Sequence, residues 1–295
     1  MPVCCDGGVN DNRPEHLRGV AEELVAEAAR YVRRRRSELF PDGGPQDGPG
    51  DPVSVRAKSS PTDPVTLADT ETEQMVRELL ARRRPGDQVL GEEGGGPDGG
   101  SRSVRWVVDP IDGTVNFVYG IPAYAVSVAA QRDGVSIAGA VADVSSGEIY
   151  SAAAGSGAHL LTGTGRRRIR CSRAADLSMT LLGTGFGYEP ARRAAQSALL
   201  ANMIPLVRDV RRLGSAALDL CMVAAGRLDA HYEHGLNVWD WAAGALIAAE
   251  AGAVVVLPAA DRPASAGELV VAAAPGIAPQ LLAALDRFAG LQPLP

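Results

Sequence analysis

The sequence predicts an α+β fold of layered helices and sheets, with a helix pair first, an antiparallel sheet in the middle and an α/β segment last. Three observations lead there. The 295 residues are 46% hydrophobic and 22% charged, as in soluble globular chains, and a chain of this length can bury a large core. Helical spacing dominates up to Arg84, and short apolar runs broken by glycine turns follow between residues 104 and 161. Beyond about residue 175 helices and strands alternate, which indicates an α/β second half.

From His16 to Leu39, apolar residues Leu17, Val20, Leu24, Ala28, Tyr31 and Leu39 recur on one helical stripe. Four arginines at 33–36 close that helix as a solvated last turn that complements the helix dipole. Residues 1–14 read as a flexible tail, and the Gly/Pro-rich stretch 41–52 as a linker or loop. A second helix is expected from Asp69 to Arg84, with Met75, Val76, Leu79 and Leu80 inward and Pro85-Gly86 ending it. Asp69, Glu71 and Glu73 crowd its first turn, where the dipole favours anions. A glycine-rich loop at 94–100 leads to strands at Val104–Asp109, Ala125–Gln131, Ala138–Val144, Glu148–Ala153 and His159–Leu161, an antiparallel block. Strands at Met179–Gly183, Asp229–Tyr232, Ala253–Leu257 and Leu269–Ala273 then alternate with helices at Arg192–Val207, Ser215–Ala225, Asp240–Ala251 and Ile277–Leu285. Residues 15–175 and 176–295 are expected to be two structural halves of one functional unit.

Net charge −6 and a pI near 5.3 argue against a dedicated nucleic-acid binder, because phosphate neutralisation needs a positive surface. No apolar run reaches the ~18 residues of a membrane helix. The start has no basic segment followed by an apolar one, so the chain is expected in the cytoplasm. Cys4, Cys5, Cys171 and Cys221 form no CxxC pair and read as reduced thiols. No GxxxxGK[ST] motif exists, and GTGFG at 183–187 lacks the second half of a dinucleotide fingerprint, so it reads as a turn. HYEH at 231–234 has neither the spacing nor the helix of a zinc protease. Arg82–Arg84 and Arg166–Arg168 read as solvated or capping clusters, and the Trp239/Trp241 pair as packing. Among 29 basic residues a single lysine, Lys58, leaves 28 arginines. A general bias toward arginine accounts for the composition but not for the place where lysine survives.

The densest chemical signal is WVVDPIDGTVNF at 106–117. An apolar strand delivers Asp109 to its end. Pro110 fixes the backbone, and Asp112 follows before a tight turn at Gly113. Two carboxylates converging there repel each other, and a hard cation such as Mg²⁺ neutralises them through oxygen ligands at ~2.0–2.1 Å. The Ile111 carbonyl offers a further oxygen, and the Gly113 and Thr114 amides face outward, as amides do where anions bind. The same segment serves equally as an Asx turn. Glu92 and Glu93 lie on a Gly-flanked loop that permits close approach to a metal. Asp240 stands at the mouth of an apolar helix, where an N-cap role would account for it in full.

These blocks resemble the inositol monophosphatases, a family of Mg²⁺-dependent, lithium-sensitive phosphatases. The matching segments are KSSPTDPVTLAD (58–69), GEE (91–93), WVVDPIDGTVNF (106–117) and YEHGLNVWDWAAGALIAAEAG (232–252), with RLGSAALDLCMVAAGRLDA (212–230) also similar. The resemblance spans about residues 15–290. It implies that family's α+β fold, a layered αβαβα sandwich, and a phosphomonoesterase that hydrolyses myo-inositol-1-phosphate with about two to three Mg²⁺ ions. By the same resemblance Glu92, Asp109 and the Ile111 carbonyl ligate metal, with Asp109 bridging two ions, while Asp112 and Asp240 ligate the second. Asp69 and Thr114 position the attacking water, and Asp69 also reaches a third, weaker ion through water. Glu92 and Lys58 complete the catalytic group; a compact cation at Lys58 tempers the acidic cluster. Asp112, Gly113, Thr114, Ser215, Ala216 and Glu233 face the substrate, with Glu233 binding inositol hydroxyls. The implied mechanism is in-line attack of water on phosphorus without a covalent phosphoenzyme. A homodimer is implied as well. Metal motifs do not separate inositol-1-phosphate from fructose-1,6-bisphosphate, a 3′-phosphonucleotide or histidinol phosphate. A regulatory protein that binds transcription machinery or RNA is a different class, motivated by the arginine clusters and opposed by the acidic balance.

Overall fold

The computed structural model describes residues 11–41, 55–57, 64–96, 104–259 and 262–295. Helix α1 (Pro14–Leu39) opens with proline, where the missing N–H costs nothing. A small antiparallel ribbon of β1 (Val55–Ala57) and β2 (Pro64–Thr66) leads into α2 (Leu67–Arg83). Next come β3 (Gln88–Gly91), β4 (Arg105–Asp112), the short α3 (Thr114–Tyr119), β5 (Ala125–Arg132), β6 (Val135–Asp143), β7 (Ile149–Ala153), β8 (Gly157–Thr162) and β9 (Gly165–Ile169). The remainder is β10 (Leu181–Thr184), α4 (Pro190–Met203), β11 (Asp209–Arg211), α5 (Ala216–Ala224), β12 (Ala230–His234), α6 (Val238–Glu250), β13 (Val254–Val256), β14 (Leu269–Ala273) and α7 (Ala278–Arg287).

Strands β3 to β9 form a seven-stranded sheet in sequence order, and a five-stranded sheet runs β11-β10-β12-β14-β13. The two-residue period of a strand assigns the layers. On β4, Trp106 and Val108 pack with α1 and α2, while Val107 turns to the opposite core with α5 and α6. Val126 and Val128 on β5 join the first core, and Ala125 and Ala129 the second. On β14, Val270 and Ala272 face α5 and α6, whereas Leu269 and Val271 pack with Leu199 of α4 and Leu281 of α7. The order α1/α2, sheet, α5/α6, sheet, α4/α7 is the αβαβα sandwich that the family resemblance implies. Its middle layer is thin because α6 is rich in small residues. A Cβ on Gly244 would lie 2.8 Å from Leu220 Cβ of α5, and one on Gly139 of β6 would lie 3.1 Å from Ala243 Cβ. Trp241 is buried in this middle core and Trp239 packs against it.

Several elements differ from the sequence-based expectation. The larger sheet is mixed, since β3 pairs parallel with β4. Arg166–Arg168 are solvated, as expected, but on an edge strand, where charge discourages further pairing. Arg84 is buried, not solvated: its guanidinium bridges Asp87 at 2.7 Å and the Asp11 carbonyl at 2.8 Å. The arginine run near the end of α1 is an anchor rather than a solvated last turn, with Arg33 Nη2 donating to Val144 O at 2.6 Å and Arg36 over the Phe40 ring at 5.0 Å. Helix α4 stops at Met203 because Pro205 starts a 3-10 turn, and Met179 also lies in a 3-10 turn rather than a strand. Cys171 is partly buried and Cys221 fully buried, and both are free thiols. Cys4, Cys5, Lys58 and all but Pro41 of the 41–52 stretch lie outside the described residues. Among the described residues no helix is long and apolar enough to cross a membrane.

Candidate active site

The site forms where β3 and β4 end side by side. Gly91 lies opposite Val108, and Glu92 N donates to Val108 O at 3.2 Å, so Glu92 leaves β3 beside Asp109. On the other side of β4, Asp109 pairs with Ser127 and Asp112 with Ala125. Three residue steps on β4 therefore match two on β5, which makes a β-bulge at Pro110-Ile111. Pro110 has no N–H to give the ladder, and a bulge is where a strand tolerates it. Side chains three apart on a regular strand face opposite ways; the extra residue turns Asp109 and Asp112 to the same face.

The turn after β4 is fixed by short contacts. Asp109 Oδ1 accepts Ile111 N at 3.1 Å. Gly113 adopts φ +94°, and a Cβ there would lie 2.9 Å from Ala123 O and 3.1 Å from Gly214 O, so glycine is required twice over. Thr114 Oγ1 lies 3.0 Å from Ile111 O and 3.1 Å from Asp69 Oδ1, and its single hydrogen is divided between the two acceptors. Asp69 is fully buried at the third position of α2. Its other oxygen accepts Thr66 N at 2.9 Å and Thr66 Oγ1 at 2.5 Å in a capping box.

Two helix starts hold the remaining carboxylates. Asp112 Oδ2 accepts Ser215 Oγ at 2.6 Å and Ala217 N at 2.7 Å, at the positive end of α5. Ala216 begins that helix and is buried. Asp240 is not the N-cap of α6. That position belongs to Asn237, and Asp240 sits three residues on, its Oδ2 accepting Asn237 N at 2.7 Å in a second capping box.

The acidic groups oppose one another. Burial holds Asp109 well above the usual carboxylate range, and the charges of Glu92, Asp112 and Asp240 push the same way. Glu92 is also within hydrogen-bonding reach of Asp109. Asp240 is raised by burial and then by Asp112 and Glu92. Asp112 is pushed up to about 6 by burial, against the Ser215 hydroxyl and the Ala217 amide, which pull it down. A divalent cation relieves this kind of repulsion. Among the described residues no three acidic, thiol or imidazole groups close into a ready-made shell for one ion. A cation there would complete its coordination with backbone carbonyl and water oxygens, as Mg²⁺ commonly does.

Glu233 lies across the site on β12. Burial pushes it up to about 8, with the Arg212 guanidinium pulling it down and Asp112 pushing it up. A Cβ on Gly185 would fall 2.1 Å from the Glu233 oxygens, so GTGFG is a glycine floor under Glu233 rather than a plain turn. Strand alternation sends His231 and Glu233 to one face of β12 and Tyr232 and His234 to the other, so the histidines of HYEH diverge.

Sequence reasoning missed Arg212 and placed Glu73 in the first turn of α2, whereas the helix starts at Leu67 and Glu73 lies in its second turn. Glu73 is buried, and its carboxylate accepts Glu93 N at 2.7 Å, Gly94 N at 2.9 Å and Arg77 Nε at 2.8 Å, which shapes the loop after Glu92. A Cβ on Gly91 would lie 2.2 Å from the Glu73 carboxyl carbon, so the glycine of GEE makes room for it. The i,i+4 spacing of Glu73 and Arg77 was the available signal.

The model of the inositol monophosphatase family matches residues 13–289. Inositol-1-monophosphatase of Mycobacterium leprae is 64% identical over 290 residues, covering 97% of this chain and 99% of that protein. A protein of Pasteurella multocida named Nus factor SuhB is 40% identical over 234 residues, covering 79% of this chain and 85% of that protein. The solved structure of Mycobacterium tuberculosis SuhB matches with a TM-score of 0.80 at 59% identity, covering 96% of this chain and 100% of that one. The matched residues enclose both sheets and every acidic side chain of the site, and the chain belongs to the inositol monophosphatase family.

Proposed function

We propose that the chain is a Mg²⁺-dependent phosphomonoesterase that hydrolyses myo-inositol-1-phosphate to inositol and phosphate. The observation that carries this reading is the mutual electrostatic opposition of Glu92, Asp109, Asp112 and Asp240. Family membership supports phosphatase chemistry, and the M. leprae relative bears the corresponding name. In this reading Glu92, Asp109, the Ile111 carbonyl, Asp112 and Asp240 hold about two to three cations, with Lys58 tempering the charge. Magnesium, when bound, supplies Lewis-acid polarisation of phosphate oxygens and acidifies water. Asp69 presents one oxygen beside Thr114 and orients a water for in-line attack, taking up its proton. Thr66 fixes that carboxylate through the other oxygen. The Gly113 and Thr114 amides, where α3 begins, receive phosphate oxygens. Ser215, Ala216 and Glu233 line the polyol side, with Glu233 accepting inositol hydroxyls. On the family resemblance the enzyme works as a lithium-sensitive homodimer, and the cytoplasm is the compartment in which we place it.

The test is phosphate release by purified protein with Mg²⁺, ranked by kcat/KM. Myo-inositol-1-phosphate is expected ahead of fructose-1,6-bisphosphate, a 3′-phosphonucleotide and histidinol phosphate. No turnover of any polyol phosphate overturns the proposal. The printed name of the P. multocida relative motivates a second reading, a role with transcription machinery. Complementation of a deletion strain by an inactive Asp109→Asn variant would favour it.

A further inference from the structure

Behind Glu233 lies a line of buried ionisable groups that the proposed chemistry does not use. Asp219 on α5 is 1% exposed, and His231 on β12 is fully buried. His231 Nδ1 is 3.7 Å from Asp219 Oδ2, and His231 Nε2 is 3.6 Å from Glu233 Oε2. Both oxygens of Asp219 and both ring nitrogens of His231 lack a hydrogen-bond partner. Buried polar atoms are rarely left so, and four in one line call for a reason. The wall beside them is glycine: a Cβ on Gly183 would sit 3.1 Å from His231 Nδ1 and 3.4 Å from Asp219 Oδ1. Together with Gly185 under Glu233, the GTGFG segment makes room for the whole line.

A neutral imidazole carries one donor and one acceptor. Set between two carboxyl groups, it is satisfied in one way that leaves Glu233 ionised. The protonated Asp219 donates to Nδ1, and Nε2–H donates to Glu233. Burial favours these states of Asp219 and His231, raising the first well above the carboxylate range and pulling the second down to about 3, while donation from Nε2–H works against the burial that pushes Glu233 up to about 8. The separations exceed a normal hydrogen bond by about half an ångström, and contacts of this kind tighten when substrate is bound. We infer that Asp219 and His231 are positioning residues, which hold the Glu233 carboxylate as an aimed acceptor for a polyol hydroxyl. The inference rests on the proposed role of Glu233.

The experiment compares myo-inositol-1-phosphate with p-nitrophenyl phosphate, which has no polyol to recognise, at saturating Mg²⁺. His231→Phe is expected to raise KM for the inositol ester about tenfold, to change its kcat less than about twofold, and to leave both constants for the aryl ester unaltered. His231→Gln, whose amide can still donate to Glu233, is expected to recover most of that loss. In the double variant with Glu233→Gln, the loss should not exceed that of Glu233→Gln alone. Equal losses on the two esters, or additive losses in the double variant, overturn the positioning role alone. Should His231→Phe fail to fold, Asp219→Asn, whose amide still donates to Nδ1, and Asp219→Ala, which removes that donor, decide: the same KM for the inositol ester in the two overturns the inference. A wild-type protein that cleaves only the aryl ester, or a Glu233→Gln variant with unchanged KM, overturns the substrate reading and this inference with it.

Discussion

At the scale of single residues, Asp109 concentrates the tension of the site. It is buried, beside Glu92 just past the end of the neighbouring strand, and faces two further carboxylates. Asp109→Asn removes one buried charge from that group. It is expected to lower kcat/KM by about two to three orders of magnitude, read by steady-state phosphate release. In metal-free buffer the same variant should melt at a higher temperature than the parent, because a repelling charge is gone. A loss of activity with a lower melting temperature would point to misfolding instead. Asp69, Glu92, Asp109, Asp112 and Thr114 were legible in the sequence because each sits in a compact block with turn residues around it. Glu73 was not, since its partners Glu93 and Gly94 lie twenty residues on, and no local pattern announces a contact of that span. The Asp219–His231 contact joins a helix to a strand in the same non-local way.

Among the elements, α6 ties the site to the middle of the molecule. Its Asn237–Asp240 capping box fixes where the helix starts and so where the Asp240 carboxylate points. Asn237→Ala is expected to cost about 1 kcal/mol of stability by urea denaturation. It should also weaken Mg²⁺ binding severalfold, read as the cation dependence of the melting temperature. An unchanged Mg²⁺ dependence would separate the cap from the acidic cluster. Long periodic helices and the central strands were legible within a few residues, because their apolar spacing repeats over several turns or pleats. The ribbon β1–β2, the edge strands β9 and β11 and the six-residue α3 were not. Strands of three to five residues carry too little pattern, and α3 exists only because Gly113 takes a left-handed conformation. Strand β3 went unpredicted altogether, since its four residues carry too little pattern, and its parallel pairing with β4 went with it.

Over the whole molecule, carboxylates come from the larger sheet, the middle helices and the smaller sheet, so proton and cation binding couple to global stability. Asp112 and Glu233 titrate near about 6 and about 8 in the folded chain, against ~4 when unfolded. A group raised in this way binds more protons folded than unfolded, so its contribution is full below ~4 and is lost as pH rises through the folded value. Metal-free protein should therefore melt at progressively lower temperature from about pH 4 to pH 8, with Asp109 and Asp240 acting in the same direction. Saturating Mg²⁺ should restore most at the alkaline end. A melting temperature that climbs with pH, or a Mg²⁺ increment independent of pH, contradicts this. The odd residue in β4 has a consequence for how such chains can change. Excising Pro110 leaves two steps on β4 against two on β5 and so keeps Asp109 and Asp112 on one face, whereas pairing the present sequence without the bulge would swing Asp112 to the far surface of its sheet. What this protein must preserve between its two aspartates is therefore an even number of paired positions, and a change that makes that number odd disarms the centre as surely as losing an acid.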